Sequence, residues 1–269
     1  MNTVSKLIKL LFAATLVAGA SANASPILTG FAQSFVPVAD DGSTKVDLAK
    51  DMKLGLSGTV YSSLYVNTNG NVSFGSGMTK FAPESFDSNA YSASFLAPFF
   101  GDVDIRNGAG SIGYGNTKFK GRDAFAVTWS EVGYYPQKND KRNTFQLVLV
   151  DRSDTGANNF DFYYNYGSIE WDQASSSKSR AGFQVVGTAA DFEFVGSGAT
   201  TQMLDSGSKA LVKGSNVGVN GRYAFNVRGG VAAYGLDGAS DPAQVPLPGT
   251  LPLLGIGAIA LAYGRRRKA

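Results

Sequence analysis

The sequence predicts an all-β, sandwich-like domain set between two targeting segments, and three observations carry that expectation. Apolar and polar residues alternate with period two in one window after another, the signature of half-buried strands. Gly is abundant, at 33 residues, and aromatics make up 12% of the chain, a pairing that suits strands and tight turns. No amphipathic helical pattern stands out between residues 25 and 241. With 269 residues, 43% of them hydrophobic, the chain can bury one sizeable core, and all-β domains commonly use about 200–250 residues as a single unit.

The elements follow in chain order. Lys6 and Lys9 form a positive n-region, residues 10–18 an apolar h-region, and Ala22 and Ala24 a small-x-small cleavage site before Ser25. The h-region is shorter than the ~20 residues of a membrane span, so residues 1–24 read as a cleaved signal peptide. In the β domain, residues 25–239, Leu64, Val66 and Thr68 face one way, Asn69-Gly70 turns the chain, and Val72 and Phe74 return. An Asn-Gly pair between alternating runs predicts a type I′ hairpin turn. Ile112 to Tyr114 is a shorter candidate strand, and Phe125, Val127 and Trp129 form the next apolar face. Residues 145–150 are apolar on most of both faces, which predicts a central strand. Phe160, Phe162, Tyr164 and Tyr166 share a face, as do Tyr223, Phe225 and Val227, with short candidates at residues 183–186 and 192–195. The polar stretches 135–143 and 151–159 read as loops. No tandem repeat of fixed period is visible, which disfavours solenoids and propellers.

A Pro-rich linker at residues 240–249 follows, with Val245, Pro246, Leu247, Pro248 and Gly249 at its end. Residues 250–263 are apolar and small, and Arg265, Arg266, Arg267 and Lys268 close the chain. The expectation is a short C-terminal transmembrane helix, held at its basic end on the cytoplasmic side. The order of linker, Val-Pro-x-Pro, apolar helix and Arg-rich tip resembles the PEP-CTERM sorting signal of Gram-negative bacteria. That resemblance implies export through the inner membrane, transient anchoring there, and processing near the proline motif by an exosortase-type enzyme. Leu247 stands where Glu is usual in the motif.

Composition excludes several functions. The formal charge is +3, yet six basic residues lie in the two end segments, and the other 18 face 21 acidic ones. The middle of the chain is therefore mildly acidic and offers no basic face for nucleic acid. There is no His and no Cys, which removes Ser-His-Asp and Cys-His catalysis and ordinary zinc sites. A secreted domain of this size folds without disulfide staples.

In the middle, five segments recur in a telling order. They are residues 64–75 (Leu-Tyr-Val-Asn-Thr-Asn-Gly-Asn-Val-Ser-Phe-Gly), 96–106 (Leu-Ala-Pro-Phe-Phe-Gly-Asp-Val-Asp-Ile-Arg), 126–135, 143–149, and 162–171 with Ala181 to Phe183 after it. Together they resemble the extracellular nidogen-like (NIDO) domain over about 150 residues. Gly101 departs from that pattern, which has Ala there. The resemblance implies a non-enzymatic surface or matrix protein associated with cell–matrix adhesion, whose partners are extracellular matrix or polysaccharide. Most of the motif has structural work of its own: aromatics to bury, Asn69-Gly70 to turn, and Pro98 suited to a strand start or edge.

Few residues invite chemistry. Asp102 and Asp104 are two apart and would share one strand face. With Asn107 they form an oxygen-donor set suited to calcium, although Arg106 occupies the place of a third EF-hand ligand. The competing expectation is that one Asp pairs with Arg106 or caps a turn. Asp102, Asp104, Glu131 and Glu170 are the carboxylates available to a glycoside hydrolase, with Glu131 and Glu170 expected on a solvated face. Tyr134 and Tyr135 beside Pro136 could stack on a sugar, though at least one is expected to pack inward. The runner-up functions are thus a lectin-like carbohydrate-binding module and, behind it, a hydrolase.

Overall fold

A computed structural model describes residues 25–88 and 90–236. The strands run β1 (Ser34–Phe35), β2 (Ser43–Asp47), β3 (Leu54–Leu56), β4 (Thr59–Tyr61), β5 (Ser63–Asn67) and β6 (Asn71–Ser73). Next are β7 (Phe95–Phe100), β8 (Val103–Asp104), β9 (Ser111–Phe119), β10 (Arg122–Tyr134), β11 (Lys138–Asp151) and β12 (Phe160–Ser168). The last are β13 (Gln173–Ala174), β14 (Ser177–Lys178), β15 (Arg180–Gln184), β16 (Asp191–Glu193), β17 (Arg222–Arg228) and β18 (Val231–Tyr234). Two single 3-10 turns are the helical elements among the described residues.

An eight-stranded sheet has the order β1-β9-β10-β11-β12-β17-β18, with β8 pairing onto β10. A six-stranded sheet has the order β16-β15-β7-β6-β5-β2. Every pairing is antiparallel. One apolar core joins them: Leu64, Val66, Val72, Leu96 and Phe99 of the smaller sheet meet Phe125, Val127, Trp129, Phe145, Phe162 and Phe225 of the larger. The all-β expectation holds, and the shared core gives the β-sandwich arrangement.

The alternation read from the sequence sorts these side chains. Phe125, Val127 and Trp129 face the core, whereas Ala124 and Ala126 lie on the other face with Val148, Val150 and Tyr163. That outer face is covered by the segment before β1. Phe31 and Leu28 pack on it, and the Gln146 amide exchanges hydrogen bonds with the Leu28 backbone at 3.0 and 2.9 Å. A strand apolar on both faces needs such a cover, and β11 does sit centrally.

Three expectations are corrected. The first concerns the β5–β6 turn. Asn67 pairs with Asn71, leaving a three-residue loop in which Gly70 has φ 77° while Asn69 stays at negative φ. A three-residue loop ending in a left-handed residue replaces the two-residue type I′ turn. This turn is also buried rather than a solvated tip, with Thr68 and Asn69 almost fully enclosed. The Trp129 indole N–H donates to the carbonyls of Asn67 and Thr68 at 3.2 and 3.1 Å.

The second concerns Pro98, which lies within β7, a strand paired on both sides. It is tolerated because the β7–β15 register shifts between the Arg180 and Gly182 pairs, so no ladder donor is required of it. The third concerns residues 138–143, which extend β11 rather than form a loop. Residues 138–141 are polar because the β10–β11 hairpin runs out into solvent there, whereas Asn143 is buried and bonds the backbone of Glu170 and Trp171.

The expected signal peptide with Ala22 and Ala24, the motif around Leu247, the apolar segment and the Arg-rich tip all lie outside the described residues. Among the described residues no helix is long and apolar enough to cross a membrane.

Candidate functional site

At one end of the sandwich, four stretches of chain converge on an open pocket of about 280 Å³. Asp40 and Asp41 come from the bend before β2, Asp102 from the link between β7 and β8, Phe81 from the loop after β6, and Tyr135 from the tip after β10. The buried β5–β6 turn seats them. Thr68 N–H donates to the Gly42 carbonyl at 2.9 Å, and Gly42 N–H donates to Thr68 Oγ1 at 3.2 Å. The Asn69 amide donates to Asp41 Oδ1 at 2.8 Å and to the Lys80 carbonyl at 3.2 Å, while its oxygen accepts from Val103 N–H at 2.9 Å. One side chain thus pins the acidic bend, the β6–β7 loop and the start of β8 together.

Of Asp102, Asp104 and Asn107, Asp104 is already engaged by other partners. Asp104 is sealed from solvent and takes Arg106 in a two-pronged pair, Nε to Oδ1 at 2.9 Å and Nη2 to Oδ2 at 2.7 Å. Backbone N–H groups of Arg106 and Gln137 fill its remaining positions at 3.0 and 2.8 Å. Although burial pushes the Asp104 carboxyl up, these bonds from Arg106 and Gln137 hold it below the usual range. Pairing with Arg106 is the reading that the geometry supports for this residue. Asn107 is exposed in a 3-10 turn at φ 58°.

Asp102 instead meets Asp40 and Asp41. One carboxylate oxygen from each lies within 4.8 Å of the others. Asp40 Oδ2 accepts from Arg106 Nη2 at 2.8 Å, while its Oδ1 is buried without a partner. Burial, then the charges of Asp104 and Asp41, push Asp40 up to about 6 against the pull of Arg106. Burial, then Asp40, Asp41 and Asp104, push Asp102 up to about 7. Sequence reasoning missed Asp40 and Asp41. Their adjacency is visible, but nothing in the pattern brings residue 40 against residue 102.

The other expected site residues lie elsewhere or are engaged. Glu131 is exposed at a bulge in β10 and accepts from the Thr144 hydroxyl at 2.8 Å. Glu170, also exposed, accepts from Arg142 N–H at 2.9 Å. Tyr134 packs against Trp171, ring centroids 5.4 Å apart. Tyr135 is 40% exposed and Phe81 49% exposed, both on the acidic pocket.

Comparisons with known proteins complete the description. The family model of the nidogen-like domain matches residues 62–118 and 113–229, and that of the PEP-CTERM protein-sorting motif matches residues 244–268. Alpha-tectorin of Mus musculus and of Homo sapiens are each 33% identical over 221 residues, covering 72% of this chain and 10% of theirs. Nidogen of Drosophila melanogaster is 24% identical over 215 residues, covering 69% of this chain and 15% of its own. The chain therefore spans about a tenth of the length of the tectorins it matches. No solved structure matches.

Proposed function

From the membership of this chain in the nidogen-like domain family, we propose that it is a non-enzymatic protein of the cell surface or matrix, acting in adhesion or exopolysaccharide association. The observation that carries the reading is the pairing of a nidogen-like domain with a sorting motif at the C-terminus. An exported, surface-sorted protein follows from that pair. Its finer course is part of the proposal. Residues 1–24 are removed as a signal peptide, residues 250–269 anchor the chain briefly in the inner membrane, and an exosortase-type enzyme cuts near residues 245–249.

The chemistry available supports a binding role. The chain has no His or Cys, Asp104 is held by Arg106, and Glu131 and Glu170 bond within their own hairpins. A lectin-like reading is favoured by one feature, the exposed Tyr135 and Phe81 beside carboxylates, since aromatic faces suit sugar rings.

Mass spectrometry of the protein from culture medium and from membranes tests the processing. New termini at Ser25 and near Gly249 are expected, and secreted material still ending at Ala269 would refute it. Loss of surface attachment on deletion of the coding sequence is expected for the adhesive role. Unchanged attachment, together with turnover of a glycan that Asp102→Asn abolishes, would overturn the non-enzymatic reading.

A further inference from the structure

We propose that Asp40, Asp41 and Asp102 form a binding site for a single calcium ion, built where the segment before β2 is laid over the β5–β6 turn. Three carboxylates near one another are not by themselves a site. What points to a cation is the state of Asp102. The residue is only 5% exposed and lines the pocket, and its carboxylate takes neither a hydrogen bond nor an ion pair among the described residues, although its backbone carbonyl accepts from Tyr135 N–H at 3.0 Å. Buried polar atoms are almost always satisfied, and a buried carboxylate without a partner is costly. The fully enclosed oxygen without a partner is Oδ1 of Asp40, beside the Asp102 carboxylate at the pocket.

The local charge is out of balance in the same sense. Asp40, Asp41, Asp102 and Asp104 gather around one cation, Arg106, whose guanidinium is taken by Asp104 and by Asp40 Oδ2. Lys80 supplies only its carbonyl on this side. Its ammonium pairs with Glu84 at 2.7 Å and stands 5.3 Å from the centre of the Tyr91 ring. A divalent cation would answer both the unmatched charge and the unmatched oxygens.

The donor set chooses among cations. All three side chains offer hard oxygen, and the chain contains no His or Cys to favour zinc or copper. Calcium–oxygen bonds of about 2.3–2.6 Å let ligand oxygens stand up to ~5 Å apart across the ion. The three oxygens all lie within 4.8 Å of one another, inside that span. Magnesium demands near-ideal octahedral geometry at about 2.0–2.1 Å, a stricter requirement on a bend that Thr68 and Asn69 hold in place by hydrogen bonds. The site is open on the pocket side, so water completes the shell. Such a site suits an extracellular module, whose calcium constants fall near ~10⁻⁴–10⁻³ M.

The experiment uses the purified full-length chain, stripped with EGTA and titrated with calcium chloride by calorimetry and by thermal melting. One ion per chain is expected, with a rise in melting temperature that EGTA reverses. Asp102→Asn should weaken calcium binding by at least about tenfold. It should leave the melting temperature in EGTA unchanged or higher, because it removes an unpaired buried charge. A lower melting temperature in EGTA would make Asp102 a structural residue and overturn the proposal. Asn107→Ala should retain the full calcium response, and its loss would return the site to Asp102, Asp104 and Asn107. No heat and no shift up to about 10 mM calcium, or an equal response to magnesium, would also overturn it. None of these readouts depends on adhesion, so the site and the proposed function can fail separately.

Discussion

Asn69 is the residue whose removal tests the site and the fold together. Asn69→Ala deletes an acceptor for Val103 N–H and two donations, to Asp41 Oδ1 and to the Lys80 carbonyl. Asn69 is only 1% exposed, so water does not replace it freely. Val103 N–H keeps a second acceptor, the Gly101 carbonyl at 2.9 Å, so it is not orphaned, and each net hydrogen bond lost costs about 0.5–1.5 kcal/mol. Asp41 is exposed and recovers part of its loss from solvent. The expected penalty is therefore about 1–3 kcal/mol, a sizeable share of the ~5–15 kcal/mol typical of a domain.

Urea unfolding followed by tryptophan emission gives the measurement. Both Trp residues of the chain, Trp129 and Trp171, are buried, so unfolding exposes both. Asn69→Asp sharpens the test. It keeps an acceptor for Val103 N–H but gives up both donations and places a fourth carboxylate beside Asp41. In EGTA it should be destabilised about as much as Asn69→Ala, and calcium should restore part of the loss for Asp but little for Ala. A penalty below about 0.5 kcal/mol for Asn69→Ala, within the range of ordinary surface substitutions, would refute the reasoning, as would identical calcium responses of the two variants.

Three further outcomes are expected. Gly70→Ala should cost about 3 kcal/mol in the same urea assay, because Gly70 has φ 77° and an added Cβ would stand 1.8 Å from the Phe99 carbonyl oxygen; a loss under ~1 kcal/mol would show that the turn rearranges cheaply. Arg106→Gln should lower the urea midpoint near neutral pH by leaving the buried Asp104 without its ion pair, and the loss should shrink in acid as Asp104 takes up a proton. In EGTA, stability should fall as pH rises from about 4 to about 7. Asp40 and Asp102 are raised to about 6 and about 7, so their contribution is full below the unfolded carboxylate pKa of ~4 and lost as each ionises in the folded state. Urea midpoints at about pH 5 and pH 8 check the sign, a higher midpoint at the alkaline end in EGTA would contradict it, and calcium should reverse the trend because it needs ionised ligands.

The sheets were legible wherever apolar and more polar residues alternate along a strand. Phe160, Phe162, Tyr164 and Tyr166 all reach the core, and period two says so without help. The pattern fell silent in short strands that Pro interrupts and in stretches that are polar throughout. In β7 all six residues are buried, so no alternation marks the strand and Pro98 argued against it. In β11 the first residues are all exposed, so nothing marks the hairpin's extension. Tight turns were legible as turns but not as buried ones. Asn69-Gly70 shows that the chain reverses there, yet only the packing of Trp129 against the Asn67 and Thr68 carbonyls puts the turn inside. The site was legible by one residue in three, because the alternation that pairs Asp102 with Asp104 holds only if both lie on one strand. Asp102 precedes β8, and that single residue of offset sends the two carboxylates to different partners.

The same turn accounts for how a binding site can rest on a scaffold whose motif mainly specifies a fold. The family match begins at residue 62, so Asn69 and Asp102 lie inside it while Asp40 and Asp41 precede it. Within the matched region, Asn69 ties the β5–β6 turn to β8 and leaves one donation for whatever packs across the sheet end. The bend at residues 40–42 fills that position, held by Thr68 as well. It supplies two carboxylates where the scaffold alone has one unpaired Asp102. The acidic pocket thus joins Asp102 of the region that the family model matches to two carboxylates from the segment before it. Its chemistry can be altered at Asp40 and Asp41 with little effect on the core, which contains neither residue.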